Sequence, residues 1–455
     1  MDSILNTVMP GVLRFSTEKY SYLYSSTERV VYRISPYQNM CPLPSLAIDV
    51  RPFDVPSLDT LESILSTQLS QLVLTLTEQC NLRCKYCIYG DSYKEIRGYS
   101  EKFMNKEIAL KAVEYFLQRS KESVFISFYG GEPTLRFYEM LWLIDEIRHN
   151  HPEKEIKFSV ATNGTLLYKE RVNELVRRGV YLQLSLDGPR SIHDFNRVTV
   201  KQEGTFDRIY RLLVKLYDEY PDYYREQVMF EVTLTPLTDL YKVYDFFLDP
   251  LFEDNLLKVG FLDPNKNDYI EKYGDEVAIS KFKEALGGLH KRFVEGLMTE
   301  CKTDKFLWEL FGRRLKDIHL HLGSDIGEKI PLNGVCIPGI KKLYVDVEGN
   351  FCPCEKVYDR LKIGTVEKGI DIKRVYTLLK GFEEISLSCR SCFAKDLCRI
   401  CFSRVTSASG DLNAEYKEAE CSKEKREVEE AFILYAELME VNSEALKFLE
   451  SYEFE

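Results

Sequence analysis

Long apolar runs are missing from this 455-residue chain: none approaches the roughly eighteen consecutive residues that read as a membrane span. No membrane partner is therefore expected. A surplus of positive charge is missing too. Lys and Arg number 61 against 72 Asp and Glu, a net charge of -11, which is the wrong sign for broad attraction to a phosphate backbone. No nucleic-acid partner is expected. The start, Met1-Asp2-Ser3-Ile4, lacks a basic segment followed by an apolar stretch and a small-residue cleavage site, so the expected address is the cytoplasm. Tandem repeats and low-complexity tracts are also lacking. What the chain does have is cysteine: 13 residues, an odd number, all but Cys41 and Cys301 lying within 80–87 and 336–421. In a long chain whose thiols stay reduced, such bunching points to metal binding rather than to a disulfide framework. Cys41 and Cys301 read as buried, inert thiols.

The length allows about two to four domains. From Gln71 onward, short apolar or β-branched runs alternate with amphipathic segments. The runs are Leu72–Leu76, Val124–Phe128, Lys157–Ala161, Tyr181–Ser185, Val228–Leu234 and Lys258–Leu262. Between the first two, Ala109, Ala112, Val113, Phe116 and Leu117 mark one stripe of a helix that can cover a sheet. Repeated strand–helix–strand units demand parallel strands with right-handed crossovers, and six of them suit an open or partial barrel. The predicted fold class is α/β, a partial (β/α)6 barrel. Residues 1–70 read as a small α+β module, with strands around Tyr20–Tyr24 and Val30–Ile34 and a helix over Leu58–Leu69. Residues 71–310 form the barrel core, 311–425 a cysteine-rich domain with a bridging segment of long amphipathic helices, and 426–455 a C-terminal helix. In that last helix Val428, Ala431, Phe432, Tyr435 and Leu438 share one face.

Directly after the first strand stand Cys80, Cys84 and Cys87, at C-x3-C-x2-C spacing. A cubane [4Fe-4S] cluster has four irons, so three thiolates leave one iron for something other than protein. A structural zinc site wants four closed ligands, and no neighbouring Cys or His supplies the fourth, although a distant residue could. The arrangement resembles the radical S-adenosylmethionine (SAM) superfamily, in which SAM caps the unique iron. Gly130-Gly131-Glu132-Pro133, after the second strand, resembles that family's GGEP element, which meets the SAM amino group. Asn163 after the third strand, and Ser185 with Asp187 at the end of the fourth, resemble its ribose and methionine contacts. Arg197 is placed like the arginine that pairs with the SAM carboxylate. Tyr86 matches the aromatic position beside the cofactor, and Tyr89 lies where backbone meets adenine. Taken singly, Asn163-Gly164 and Asp187-Gly188 are ordinary turn dipeptides. Together they fall at the carboxyl ends of predicted parallel strands, the face on which α/β folds place ligands.

The second region runs Cys336, Gly349, Cys352, Cys354, then Cys389-x2-Cys392-x5-Cys398-x2-Cys401, and Cys421. It resembles the SPASM extension of radical SAM peptide-modifying enzymes, with a last interval of two residues where the common pattern has three. The resemblance implies three [4Fe-4S] clusters, one binding SAM and two auxiliary. Cys389, Cys392, Cys398 and Cys421 would hold the outer auxiliary cluster, and Cys336, Cys354 and Cys401 the inner one. Its fourth ligand would be Cys352, or the iron stays open for a substrate thiolate. By ligand count alone, two zinc sites would suit the same thiols. Glu355 follows Cys354 where related sulfatase-maturing enzymes carry a catalytic aspartate; it reads either as a base or as a carboxylate paired with Lys356 or simply solvated. Asp263, ending the sixth strand, reads as a second rim carboxylate or a loop cap. His319 and His321, two apart on a predicted helix, face different directions and make a poor ligand pair.

In the family, an electron from the cluster cleaves SAM to a 5′-deoxyadenosyl radical that takes hydrogen from substrate, and auxiliary clusters accept electrons. The implied enzyme is a radical SAM oxidoreductase that matures a Cys-containing ribosomal precursor peptide (RiPP) bearing a leader. Its product would be an oxidative cross-link, a thioether. The N-terminal strands would suit leader capture at a sheet edge, or equally a barrel-capping extension. An external low-potential donor of flavodoxin or ferredoxin type is implied. Formylglycine formation on a sulfatase is the alternative within the class, and an iron-sulfur redox or regulatory binding protein the alternative outside it.

Overall fold

Six strands of the sequence pattern stand side by side and parallel in the order of the chain. The computed structural model describes residues 10–34, 49–90, 92–93, 97–262, 267–300, 303–332, 334–357, 359–407 and 409–450. A small antiparallel sheet, β1 (Val12–Ser16), β2 (Ser21–Ser25) and β3 (Val30–Ile34), comes first. The parallel strands are β4 (Leu69–Thr77), β5 (Ser120–Gly130), β6 (Glu155–Thr162), β7 (Tyr181–Ser185), β8 (Val228–Leu234) and β9 (Leu256–Phe261). The ends are unpaired with each other, so the barrel is open. Four short strands extend it beyond β4: β10 (Leu343–Val345), β11 (Asn350–Cys352), β12 (Gly364–Thr365) and β13 (Gly369–Ile370). β10 runs parallel to β4, placing Tyr344 beside Val73, and the other three fold back antiparallel.

Side-chain alternation explains the two faces. Leu72, Leu74, Ile126, Phe128, Phe158 and Val160 are buried. The helix Lys106–Leu117, capped by Asn105 accepting from Ile108 N, buries Ala109, Ala112, Val113, Phe116 and Leu117 in the same core. At about 1.5–3 kcal/mol for each large side chain, this apolar stripe outweighs any single surface contact. The opposite parity is mixed: Val73, Phe125 and Tyr129 share it with a polar row in which Gln71 Nε2 donates to Ser127 Oγ at 2.7 Å and the Ser127 and Ser159 hydroxyls meet at 2.7 Å. The inside of the barrel thus carries polar groups that the helix-covered side lacks.

Three expectations differ from the structure. The helix predicted over Leu58–Leu69 ends at Leu65, because Leu69 already begins β4. The first seventy residues do not form a self-contained module. Leu13, Phe15, Tyr22 and Tyr24 of the small sheet share a core with Val428, Ala431 and Phe432, whereas Leu61 and Leu65 belong to the main core. The terminal helix starts at Ala414, not near 426. Asn413 accepts from Tyr416 N and caps it, so Cys421 lies inside the helix. Among the described residues, no helix is long and apolar enough to cross a membrane.

Candidate functional site

The three thiols of Cys80, Cys84 and Cys87 occupy the loop that leaves the carboxyl end of β4. Two sets of backbone bonds hold that loop. On one side Gly131 N donates to Thr77 O and Glu132 N to Gln79 O, each at 2.8 Å. On the other, Arg83 N donates to Val198 O at 2.7 Å and Lys85 N to Asn196 O at 3.0 Å. Glycine is required on the first side. A Cβ at Gly130, whose φ is +132°, would stand 2.2 Å from Thr77 O, and one at Gly131 would stand 2.2 Å from Gln79 O. The GGEP element therefore acts first as a latch between β5 and the cysteine loop.

Glu132 is buried and its carboxylate is fully used. Oε1 accepts from Thr134 N at 2.9 Å and Thr162 Oγ1 at 2.7 Å, and Oε2 accepts from Asn163 N at 2.8 Å. Burial pushes its pKa up against these bonds. Pro133 begins a short 3-10 turn. Asn163 Nδ2 donates to Asn81 Oδ1 at 3.0 Å and approaches Cys80 Sγ at 3.9 Å. Ser185 closes β7 on the same rim. Asp187, wholly buried, accepts from the Tyr86 hydroxyl, from Arg197 Nε at 3.2 Å and from Thr233 N at 3.2 Å. Arg197 also points Nη1 toward Cys84 Sγ at 4.0 Å, and its guanidinium lies 5.4 Å from the Tyr86 ring centroid. Asp187 is thus an anchor for Tyr86 and Arg197. Tyr89 is buried, its hydroxyl pushed up to about 12 by that burial, beside Tyr99 and the Arg97 guanidinium.

The donors fit an iron-sulfur group. Cys80 Sγ receives Leu82 N and Cys87 Sγ receives Tyr89 N, both at 3.4 Å, the N–H···S pattern that stabilises ligating thiolate. Burial pushes Cys84 up to about 12, against Arg197, and pushes Cys80 up as well. Left bare, such thiols stay protonated; a cationic core makes thiolate the stable form.

The second region forms two groups. Cys389, Cys392, Cys398 and Cys421 act on one another electrostatically. Burial pushes Cys398 up to about 12, and Cys354 to the same range in the other group, where Cys336 and Cys401 add to the effect. Cys352 is not brought into that group. Its thiol is wholly buried in the main core, and the charges acting on it are Asp346, Arg97, Asp359 and Lys362. Glu355 pairs with Lys342 Nζ at 2.7 Å rather than with Lys356. Its Oε2 is buried without a hydrogen-bond partner, and although burial opposes it, Lys342 holds the carboxyl below its usual range. Asp263 lies outside the described residues, as do Cys41 and Cys301. His319 and His321 do separate: His319 meets Tyr435, and His321 the Tyr24 hydroxyl.

Arg97 was not singled out from sequence. Nε donates to Asp359 Oδ1 at 2.7 Å, and the guanidinium stacks 4.4 Å from the Tyr344 ring and 5.9 Å from that of Tyr89. It follows three residues outside the described set and precedes Gly98, with no period or motif to mark it.

Residues 74–239 match the family model of the Radical SAM superfamily. The chain is 26% identical over 360 residues to the cysteine-type anaerobic sulfatase-maturating enzyme of Clostridium perfringens (strain ATCC 13124), covering 76% of this chain and 92% of that one. It is 26% identical over 348 residues to the enzyme of the same name from Clostridium novyi, covering 73% and 87%. Among solved structures, native anSMEcpe with bound AdoMet and Cp18Cys peptide aligns at a TM-score of 0.58 and 22% identity, covering 85% of this chain and 100% of that one. That last likeness is one of fold.

Proposed function

The chain is a radical SAM enzyme, and from that premise we propose that it oxidises a cysteine-containing precursor peptide and closes a thioether cross-link. The observation that carries this reading is the inner thiol group: Cys336, Cys354 and Cys401 are gathered while Cys352 is kept in the core. Three ligands leave a position where a substrate cysteine sulfur can bind. β10 joins that region to β4, the strand that carries the first cysteine loop, and the buried Tyr129 on β5 feels both Cys87 of the first group and Glu355 beside Cys354 of the inner one.

Cys80, Cys84 and Cys87 would hold the SAM-binding cluster, with Gly130 to Pro133, Asn163, Ser185, Arg197, Tyr86 and Tyr89 around SAM. SAM on its reduced cluster supplies one-electron cleavage that ends in hydrogen abstraction from substrate. The chain's own residues prepare the place. Asp187 orients Tyr86 and Arg197 from a position closed to water, and Glu132 fixes β5 against β6. Glu355 is the proposed base for a substrate proton, a reading supported by its one buried, unpartnered oxygen and by Lys342, which keeps it ionised. The small N-terminal sheet is the proposed leader-binding element, a low-potential flavodoxin or ferredoxin the proposed donor, and the cytoplasm the proposed location.

A second reading, oxidation of a sulfatase cysteine to formylglycine, is favoured by the similarity to the two Clostridium enzymes. Anaerobic coexpression with a Cys-rich peptide, followed by fragmentation mass spectrometry, separates the two. A thioether conserves sulfur and removes two hydrogens, whereas formylglycine made from cysteine loses the sulfur. A peptide left unmodified while a sulfatase peptide loses sulfur would overturn the thioether reading.

A further inference from the structure

Lys417 is buried, a place where lysine is rare unless paired. It sits one helical turn before Cys421 on the helix Ala414–Val441, so both side chains share a face. Its ammonium donates to Cys389 Sγ at 3.1 Å and lies 3.9 Å from Cys421 Sγ. Among the described residues no carboxylate pairs with it. The acids three and seven residues on are already taken: Arg404 meets Glu420 Oε2 at 3.1 Å, while Arg314 meets Glu424 Oε1 at 2.5 Å, Arg399 N meets it at 2.7 Å, and Arg404 lies 3.5 Å from its Oε2.

The other two thiol groups differ in this respect. Beside Cys84 stands Arg197, but Asp187 neutralises it at 3.2 Å. Beside the inner group stands Lys342, but Glu355 neutralises it at 2.7 Å. Among the described residues, only at the outer group is the adjoining buried cation left to the sulfurs.

We propose that Lys417 is a positioning residue that raises the reduction potential of the outer cluster above those of the other two, by a fixed positive charge and an N–H···S bond to Cys389. Reduction adds a negative charge to the cluster, and a nearby cation stabilises the more negative state. Burial keeps water from screening that effect. A donor to a ligating sulfur acts in the same direction by drawing charge from it. The outer cluster then becomes the place where an electron rests when all three compete for it. The inference rests on the radical SAM reading for the presence of the clusters and on nothing about the peptide.

The test is a redox titration of the reconstituted holoenzyme followed by electron paramagnetic resonance, for wild type, Lys417→Met and Lys417→Arg, with iron counted in each. In Lys417→Met one midpoint potential should fall by at least about 59 mV, tenfold in a one-electron equilibrium constant, with the other two in place. Lys417→Arg should recover most of the fall. Three unmoved potentials at full iron content would overturn the proposal, as would an equal fall in all three. If Lys417→Met instead sheds one cluster, the signal it lacks must be the highest-potential one in wild type; were it the lowest, the proposal fails. Peptide products from the same wild-type sample are read separately. A shifted potential without a cross-link sinks the thioether reading alone, and a cross-link with unmoved potentials sinks this one alone.

Discussion

Breaking the Asp187–Arg197 pair should loosen the barrel rim by about 3–5 kcal/mol, the scale for leaving one partner of a buried ion pair uncompensated. The pair is 3.2 Å apart, with Asp187 wholly buried and the Arg197 side chain 11% exposed. At an effective dielectric of about 20, unit charges at that separation attract by about 5 kcal/mol, before the cost of removing both from water. Asp187→Asn keeps the shape, yet it turns an acceptor of three donors into a group carrying two donors of its own and leaves Arg197 stranded. Arg197→Met strands Asp187 in turn. The double variant strands neither, so it should be at least about 2 kcal/mol more stable than the sum of the single losses implies. Guanidinium unfolding of the apoprotein, with Trp308→Phe as background so that Trp142 on the helix Phe137–Asn150 reports alone, measures this coupling. Losses that add to within about 0.5 kcal/mol would show that the two side chains do not depend on each other.

Gly131→Ala should separate the cysteine loop from β5, because its Cβ would meet Gln79 O at 2.2 Å; iron analysis should then show about a third of the iron missing, as one cluster of three. Gly260→Ala, with no atom nearer than 4.0 Å, is the control and should keep its iron. Cys84→Ala should abolish 5′-deoxyadenosine formation from SAM under dithionite; turnover at the wild-type rate would contradict the assigned triad. His193, buried against Thr205 Oγ1, has its pKa lowered by burial to about 4. Because the unfolded imidazole takes a proton near 6.5, its contribution is whole above that pH. It declines as the pH falls toward 4, by about 3 kcal/mol in all. Unfolding measured from pH 7 to 4.5 should therefore show a shallower acid decline in His193→Gln, and parallel curves would refute the assignment.

The barrel strands were legible because each runs apolar on one face and sits between amphipathic helices. Tyr181–Ser185 and Val228–Leu234 begin and end as the pattern predicts. The Cys80, Cys84 and Cys87 triad was legible from spacing, since its residues share one loop; the interleaved sets of the second region were implied by the resemblance alone, because Cys336 and Cys401 lie 65 residues apart. β10 to β13 were not, as strands of two or three residues hold too little pattern to register. β1 was missed as well, although Val12–Ser16 alternates, because its burial depends on Phe432 some four hundred residues away. The start of the last helix was readable in principle: Asn413 is a good cap, followed by Ala, Glu and Lys. A cysteine within the run drew the boundary too late.

Residue roles were less legible than residue places. Glu132 and Asp187 occur where the resemblance put them, but their oxygens are spent on Thr134, Thr162, Asn163, Tyr86, Arg197 and Thr233. Such partners come from five different strands and their loops, so no spacing rule reveals them. Pairing decides the sign of the charge each thiol group meets. Lys342 lies thirteen residues from Glu355, Asp187 ten from Arg197, and both pairs cancel. Lys417 lies four residues from Cys421, and among the described residues no carboxylate cancels it. The electrostatic difference among three similar cysteine groups therefore arises from which carboxylate the fold brings to which cation, and only the folded chain contains that information.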